Sequence, residues 1–140
     1  MKRTRRQNFG QHFLKDTSAI LKIVKTAMDQ LQSNDVRHLL EVGPGKGAIT
    51  FPLLQTIPDS VQTLVVEKDP LLAEHWEQEI KNFPRAQFQN VDFLSIPEAH
   101  WPNQKRWLVV SNLPYSVATA ILQKFSENRE HVAAMVLMFQ

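Results

Sequence analysis

The stretch "EVGPGKG", residues 41–47, decides how the rest of the chain is read. It closes an apolar run, "HLLEVG" (38–43), that reads as a buried strand. It opens onto "AITFPLLQT" (48–56), a short helix in which Pro52 is tolerable only near the first turn. Gly43, Gly45 and Gly47 therefore occupy a strand-to-helix turn, where side chains would keep a ligand away from the backbone. In an open α/β sheet, such a turn at the carboxyl end of a parallel strand lies on the binding edge. The G-x-x-x-x-G-K-[ST] spacing of a phosphate-binding loop is absent, whereas Gly43-x-Gly45-x-x-Ala48 satisfies the looser dinucleotide pattern.

Outward from this turn, strands and helices alternate. Upstream, "DTSAILKIVKTAMDQL" (16–31) spaces Ile20, Ile23, Val24, Ala27 and Leu31 along one helical face, with Asp16 or Thr17 as N-cap. Downstream, "TLVVEK" (63–68) is the clearest strand. "PLLAEHWEQEIKNF" (70–83) begins with proline at a helix start and puts Leu71, Leu72, Trp76 and Ile80 on one side. Then come a strand over "AQFQNVD" (86–92), an irregular stretch with Pro97 and Pro102, a strand over "RWLVVSNL" (106–113), a helix across 116–127 and a strand over "AAMVLMFQ" (133–140). The expected fold is α/β and Rossmann-like, with a central, mainly parallel sheet covered on both faces. The last strand would have nothing beside it, and an open apolar edge invites aggregation. The domain is therefore expected to be truncated after its fifth strand.

Composition narrows the class. A chain of 140 residues with 43% hydrophobic content suits one domain. With no cysteine, neither a disulfide framework nor a thiolate metal site can form. No apolar run approaches the ~20 residues of a membrane span, and the basic amino terminus lacks a secretory signal's apolar stretch. The expectation is a soluble, cytoplasmic protein. Its net charge of +2 is unevenly placed: Lys2, Arg3, Arg5, Arg6 and Lys15 fall in residues 1–15 with no acid, and the remainder is net −3. That leading arm suits a phosphate backbone. His38, His75, His100 and His131 are scattered, so no metal site is expected. Trp76 and Trp107 are assigned to the core and Trp101 to surface packing.

Three acids and one further motif are candidates for chemistry. Glu67 closes "TLVVEK" twenty residues after Gly47, where a carboxylate can accept both hydroxyls of a ribose. This suits NAD and S-adenosylmethionine equally. Asp92, ending "NVD", could accept a hydrogen bond from an adenine amine, and Glu41 makes a third acid at a strand end. Paired-carboxylate hydrolysis needs two such acids, but nothing in the spacing favours it. The tie is broken by "SNLPYS" (111–116), which resembles the signature of S-adenosylmethionine-dependent methyltransferases acting on exocyclic amines, and that resemblance implies the following roles. An adenine amine is a weak nucleophile because its lone pair is conjugated with the ring. The Asn112 amide oxygen and a backbone carbonyl held by Pro114 can accept its two hydrogens. Tyr115 offers a face on which a base can stack, worth ~1–3 kcal/mol. Proximity and in-line orientation then suffice, without a strong general base.

Beyond that signature, the ordered set of motifs is similar to one family. "RRQNFGQHFLKD" (5–16), "EVGPGKGAIT", "VVEKD", "NVDFL" and "SNLPYSVATAIL" follow the order and spacing of the ribosomal RNA adenine N6,N6-dimethyltransferases, across almost the whole chain. The resemblance implies a class I methyltransferase domain over 16–140, led by a cofactor- and RNA-contacting arm over 1–15. It implies a cofactor site of His12, Leu14, Gly43, Gly45, Glu67, Asp92 and Asn112, and a base pocket of Asn112, Leu113, Pro114 and Tyr115. It also implies an aromatic near the base at Phe139. His12 stands where many members carry asparagine, Ser111 replaces a frequent glycine, and "SVATAIL" replaces the commoner "NISTPIL". The family's carboxy-terminal helical domain is not in this sequence.

The function so implied is dimethylation of adenine N6 in small-subunit (16S) ribosomal RNA, using S-adenosyl-L-methionine, as part of ribosome biogenesis. The expected partner is ribosomal RNA within a small-subunit particle, with neither membrane nor metal involved, and the chain is read as a monomer. The target adenine must leave its stack, which is easiest in a hairpin loop. Three alternatives stand beside this reading: a large-subunit methylase of the macrolide-resistance type, an NAD-binding oxidoreductase domain, and a noncatalytic RNA-binding or assembly factor. The oxidoreductase reading gives no purpose to Asn112-Leu113-Pro114-Tyr115.

Overall fold

The computed structural model describes residues 16–96 and 105–139. Within them, helix α1 (Thr17–Ser33) leads into strand β1 (His38–Val42), helix α2 (Thr50–Thr56) and strand β2 (Gln62–Val66). Helix α3 (Pro70–Glu79) and strand β3 (Ala86–Gln89) follow, then strand β4 (Trp107–Leu113), helix α4 (Tyr115–Glu127) and strand β5 (Val132–Phe139). The five strands form one sheet in the order β3-β2-β1-β4-β5, and every pairing is parallel. The order reverses between β1 and β4. A crevice opens at such a reversal because the connections leaving the two strands run to opposite faces of the sheet.

The strands are near-continuous apolar runs because both sheet faces are covered. On one face Leu40, Val42, Leu64, Val66, Val109 and Leu113 pack against Ala118, Ile121 and Phe125 of α4. On the other, Leu39, Leu108 and Val110 meet Ile23, Val24, Ala27 and Leu31 of α1 and Leu53 of α2. Each such side chain taken fully from water contributes ~1.5–3 kcal/mol. Trp76 and Trp107 are core residues, as expected, at 0% and 2% exposure. Asp16 is the N-cap of α1, accepting from Ser18 N–H at 2.9 Å and Ala19 N–H at 3.2 Å.

Several expectations are corrected. Helix α3 ends at Glu79 and tightens into a 3-10 turn over Ile80–Asn82. Leu71, assigned to its buried face, is 78% exposed, and the face is carried by Ala73 and Trp76 instead. Strand β3 stops at Gln89, so Asp92 does not end it. The ladder breaks there because Asn90 turns its side chain to the Glu67 carbonyl (Nδ2 to O, 2.8 Å) and Asp92 starts a new 3-10 turn, Phe93–Ser95. As expected, strand β4 runs through Leu113, which places Asn112 within the sheet. Among the described residues β5 pairs only with β4, and its Met135 and Phe139 are 42% and 49% exposed.

Candidate cofactor and base site

The site is built at the carboxyl ends of β1, β2 and β4. Gly43 leaves β1 with φ +72° and donates its N–H to the Val66 carbonyl at 2.8 Å. A Cβ placed there would meet no atom within 4 Å, so the backbone faces open space. A side chain at that position would be strained and would enter the cleft. Gly47 is glycine for a different reason: with φ +95°, its Cβ would lie 2.4 Å from the Phe51 ring and 3.0 Å from Trp76. One glycine keeps room for a ligand, and the other lets two rings close under the turn.

Gly45, between them, is fastened on both sides. Its N–H donates to Glu67 Oε1 at 3.4 Å, and its carbonyl accepts from the indole Nε1 of Trp76 at 2.8 Å. Trp76 in turn stacks on Phe51, with centroids 5.2 Å apart. Glu67 sits just beyond β2, and its Oε2 accepts from Asp69 N–H at 3.1 Å. Burial raises its pKa, opposed by the backbone N–H groups of Asp69, Gly45 and Lys68. A carboxylate can accept about four hydrogen bonds. The backbone donors therefore orient Glu67 and leave lone pairs for a diol.

Glu41 is different in kind. It is 2% exposed and bonded by the Thr50 hydroxyl, and burial pushes its pKa up to about 8, against the Thr50 hydrogen bond and with help from the nearby Glu67 charge. At neutral pH it is mostly a neutral acid, so it does not oppose the charge on Glu67. Glu41 and Glu67 thus do different work, and Glu41 is a structural acid.

Asn112 lies across the sheet reversal from the glycine turn. The β1–β4 register pairs Glu41 with Val110. Carried on by two residues, it brings Asn112 level with Gly43. Ser111 fixes the join: its Oγ donates to the Val42 carbonyl at 2.5 Å. Asn112 Oδ1 is buried and has no hydrogen-bond partner. Leaving such an atom unpaired costs about 1–3 kcal/mol, so it marks a place where an incoming donor is expected. Leu113 is buried, and Pro114 (φ −60°) caps α4, which begins at Tyr115. The Pro114 carbonyl is already taken by Val117 N–H at 3.1 Å. Phe139 stands opposite Leu113 in the β4–β5 register.

The structure thus brings Gly43, Gly45, Glu67 and Asn112 to one edge of the sheet. Asp92 is placed in the turn after β3, exposed, with Oδ1 accepting from Leu94 N–H at 3.0 Å and its second oxygen uncommitted to that bond. His12 and Leu14, together with His100 and Trp101, lie outside the described residues, as does the basic arm. Sequence reasoning missed Thr50, Trp76, Asn90 and Ser111 as supports. Only Ser111 carried a signal, standing where the family resemblance leads one to expect glycine. Among the described residues no group of three or more His, Asp or Glu side chains is placed to hold a metal. No described helix is long and apolar enough to cross a membrane.

The chain is similar to known proteins along nearly all of its length. A ribosomal RNA small subunit methyltransferase A from Chlorobium phaeobacteroides (strain BS1) is 38% identical over 135 residues, covering 96% of this chain and 48% of that protein. Its counterpart from Synechococcus sp. (strain RCC307) is 39% identical over 119 residues, covering 85% of this chain and 41% of that one. Among solved structures, the 23S rRNA methyltransferase ErmE superposes with a TM-score of 0.69 at 27% identity, over 92% of this chain and 48% of that protein. A dimethyladenosine transferase from Plasmodium falciparum, at 20% identity and a TM-score of 0.66 over 92% of this chain and 43% of that one, shares the fold. The chain thus spans about half the length of the curated relatives it matches. The model of the family described as ribosomal RNA adenine dimethylase matches residues 2–140, and the chain belongs to that family.

Proposed function

We propose that this chain is the cofactor-binding, catalytic part of an S-adenosylmethionine-dependent methyltransferase that dimethylates adenine N6 in small-subunit ribosomal RNA. The observation that carries the reading is the buried, unpartnered Oδ1 of Asn112, level with an open glycine turn on a strand that ends in Leu-Pro-Tyr. S-adenosylmethionine fits the residues present: Gly43 leaves space beside the backbone, Glu67 is oriented for the ribose hydroxyls, and Asp92 has an oxygen for the adenine amine. When bound, it would supply an electrophilic methyl carbon on a positively charged sulfur.

The chain's own residues do the rest by placement. Asn112 Oδ1 accepts one hydrogen of the target amine. The Leu113 carbonyl accepts the other, since the Pro114 carbonyl is committed to helix α4. Two acceptors on the two hydrogens aim the nitrogen lone pair along the transfer axis and stabilise the positive charge that grows on nitrogen. Tyr115 stacks on the base. His12 and Leu14 complete the cofactor site, and the basic arm, residues 1–15, lies along the RNA backbone. The protein is read as a monomer acting in the cytoplasm on a small-subunit particle. The likeness to ErmE makes a large-subunit substrate the second reading; the small-subunit relatives, at 38% and 39% identity, favour the first.

Methyl transfer to small-subunit particles lacking the modification tests this. The parent chain, Asn112→Ala and a counterpart with the relatives' full length are compared. Transfer by the longer protein that is lost on Asn112→Ala supports the reading; transfer unaffected by that substitution rejects it. Calorimetry supplies an independent check, because tight binding of NAD with none of S-adenosylhomocysteine would restore the oxidoreductase alternative.

A further inference from the structure

Helix α4 starts at the Asn112-Leu113-Pro114-Tyr115 turn and is fastened, near its other end, to the segment that follows Asp92. Lys124 donates from Nζ to the Ile96 carbonyl. The same ammonium lies 5.1 Å from the centroid of the Phe93 ring. Phe125, the next residue, packs 5.2 Å centroid to centroid against Phe93, which is 3% exposed. At the opposite end of the segment, Asp92 Oδ1 caps the turn through Leu94 N–H. Residues 92–96 are therefore closed by a carboxylate at the start and held by an ammonium at the end. Neither methyl transfer nor the packing of the two sheet faces calls for a lysine at position 124. Its partial burial disfavours the charge, which the Asp92 and Glu127 carboxylates support.

We propose that Lys124 is a positioning residue for cofactor specificity. By gripping Ile96 and the Phe93 ring it holds the Asp92 carboxylate where the adenine amine of S-adenosylmethionine arrives, and it ties that place to the helix that begins at the base pocket. The inference rests on the cofactor reading given above. A fixed carboxylate accepts a bond from a 6-amino group and repels the carbonyl oxygen that replaces it in hypoxanthine. A site built around one such hydrogen bond discriminates strongly against an analogue that cannot make it. If the segment is free to move, the carboxylate can turn to water and the discrimination fades.

The test compares binding of S-adenosylhomocysteine and S-inosylhomocysteine by calorimetry to the parent, Lys124→Met and Lys124→Arg, with urea midpoints measured alongside. Methionine keeps the aliphatic stem without the charge or donors; arginine keeps a cation over Phe93 and a donor for Ile96. The parent is expected to prefer the adenine ligand by tenfold or more. Lys124→Met is expected to lose about tenfold in affinity for that ligand and little for the inosine analogue, so that the preference collapses, and Lys124→Arg to restore it. A preference in Lys124→Met equal to the parent's overturns the proposal. So does an equal loss for both ligands, which would show general loosening only. A parent that binds S-adenosylhomocysteine without preference removes the role of Asp92 and with it that of Lys124; a parent that binds neither ligand overturns the cofactor reading itself. If Lys124→Met does not fold, Lys124→Gln takes its place under the same outcomes.

Discussion

Replacing Glu41 with glutamine isolates the consequence of burying an acid beneath the glycine turn. In the folded chain burial holds the Glu41 pKa at about 8, against 4.5 for an ordinary glutamate. The folded state therefore keeps a proton that the unfolded state releases, and stability falls as pH rises between those two values. The contribution is fully present below pH ~4.5 and lost by pH ~8. Each pH unit across that window is worth about 1.36 kcal/mol, which gives roughly 3 kcal/mol lost at pH 7 and about 5 kcal/mol above pH 8 as an upper bound. Glutamine has nearly the same shape, accepts from the Thr50 hydroxyl and does not titrate. Glu41→Gln is thus expected to match the parent to within about 1 kcal/mol at pH 4.5, to exceed it increasingly up to pH ~8, and to hold that gap at pH 9. Urea unfolding followed by circular dichroism at pH 4.5, 7 and 9 measures the difference directly. A parent–variant gap that stays constant with pH would refute the protonated, buried acid. The same substitution is expected to leave S-adenosylhomocysteine affinity at pH 7 within threefold of the parent's, because a neutral group replaces a mostly neutral one.

Three other substitutions probe the same edge of the sheet. Gly47→Ala forces a Cβ against Phe51 and Trp76 in a left-handed backbone conformation, and is expected to destabilise the chain by about 2–4 kcal/mol, read as a lower urea midpoint. Trp76→Phe keeps a ring against Phe51 but removes the donor to the Gly45 carbonyl; a loss of about 1–2 kcal/mol is expected, with weaker S-adenosylhomocysteine binding by calorimetry. Asn112→Leu removes the unpartnered buried oxygen in a side chain of similar volume, so the thermal midpoint should rise by the equivalent of about 1 kcal/mol while methyl transfer is abolished. A fall in that midpoint would mean that Oδ1 already has a partner in the ligand-free protein.

What was legible in the sequence follows from burial and local geometry. Parallel strands covered on both faces must be apolar throughout, so "TLVVEK" and "RWLVVSNL" announced β2 and β4. Asp16 and Pro70 marked helix starts through their own hydrogen-bonding limits. The glycine turn was visible because left-handed backbone at Gly43, Gly45 and Gly47 is compatible with few other residues. Errors came where one local cue outweighed packing: the helical spacing of Leu71 predicted burial, but the residue sits in the first turn and projects outward.

Residue types and their order alone determined that an acid, a glycine turn and an amide followed by Leu-Pro-Tyr would fall at or beside strand ends. Tertiary structure decided which of them meet. Insertion of β4 beside β1 sets Asn112 against Gly43, though 69 residues separate Ser111 from the Val42 carbonyl it bonds. The same folding carries the Trp76 indole to Gly45 across 31 residues and Lys124 to Ile96 across 28. It also sets the protonation of Glu41, because a carboxyl group's charge depends on the solvent it loses, and that loss exists only once the sheet and both helical layers have closed around it.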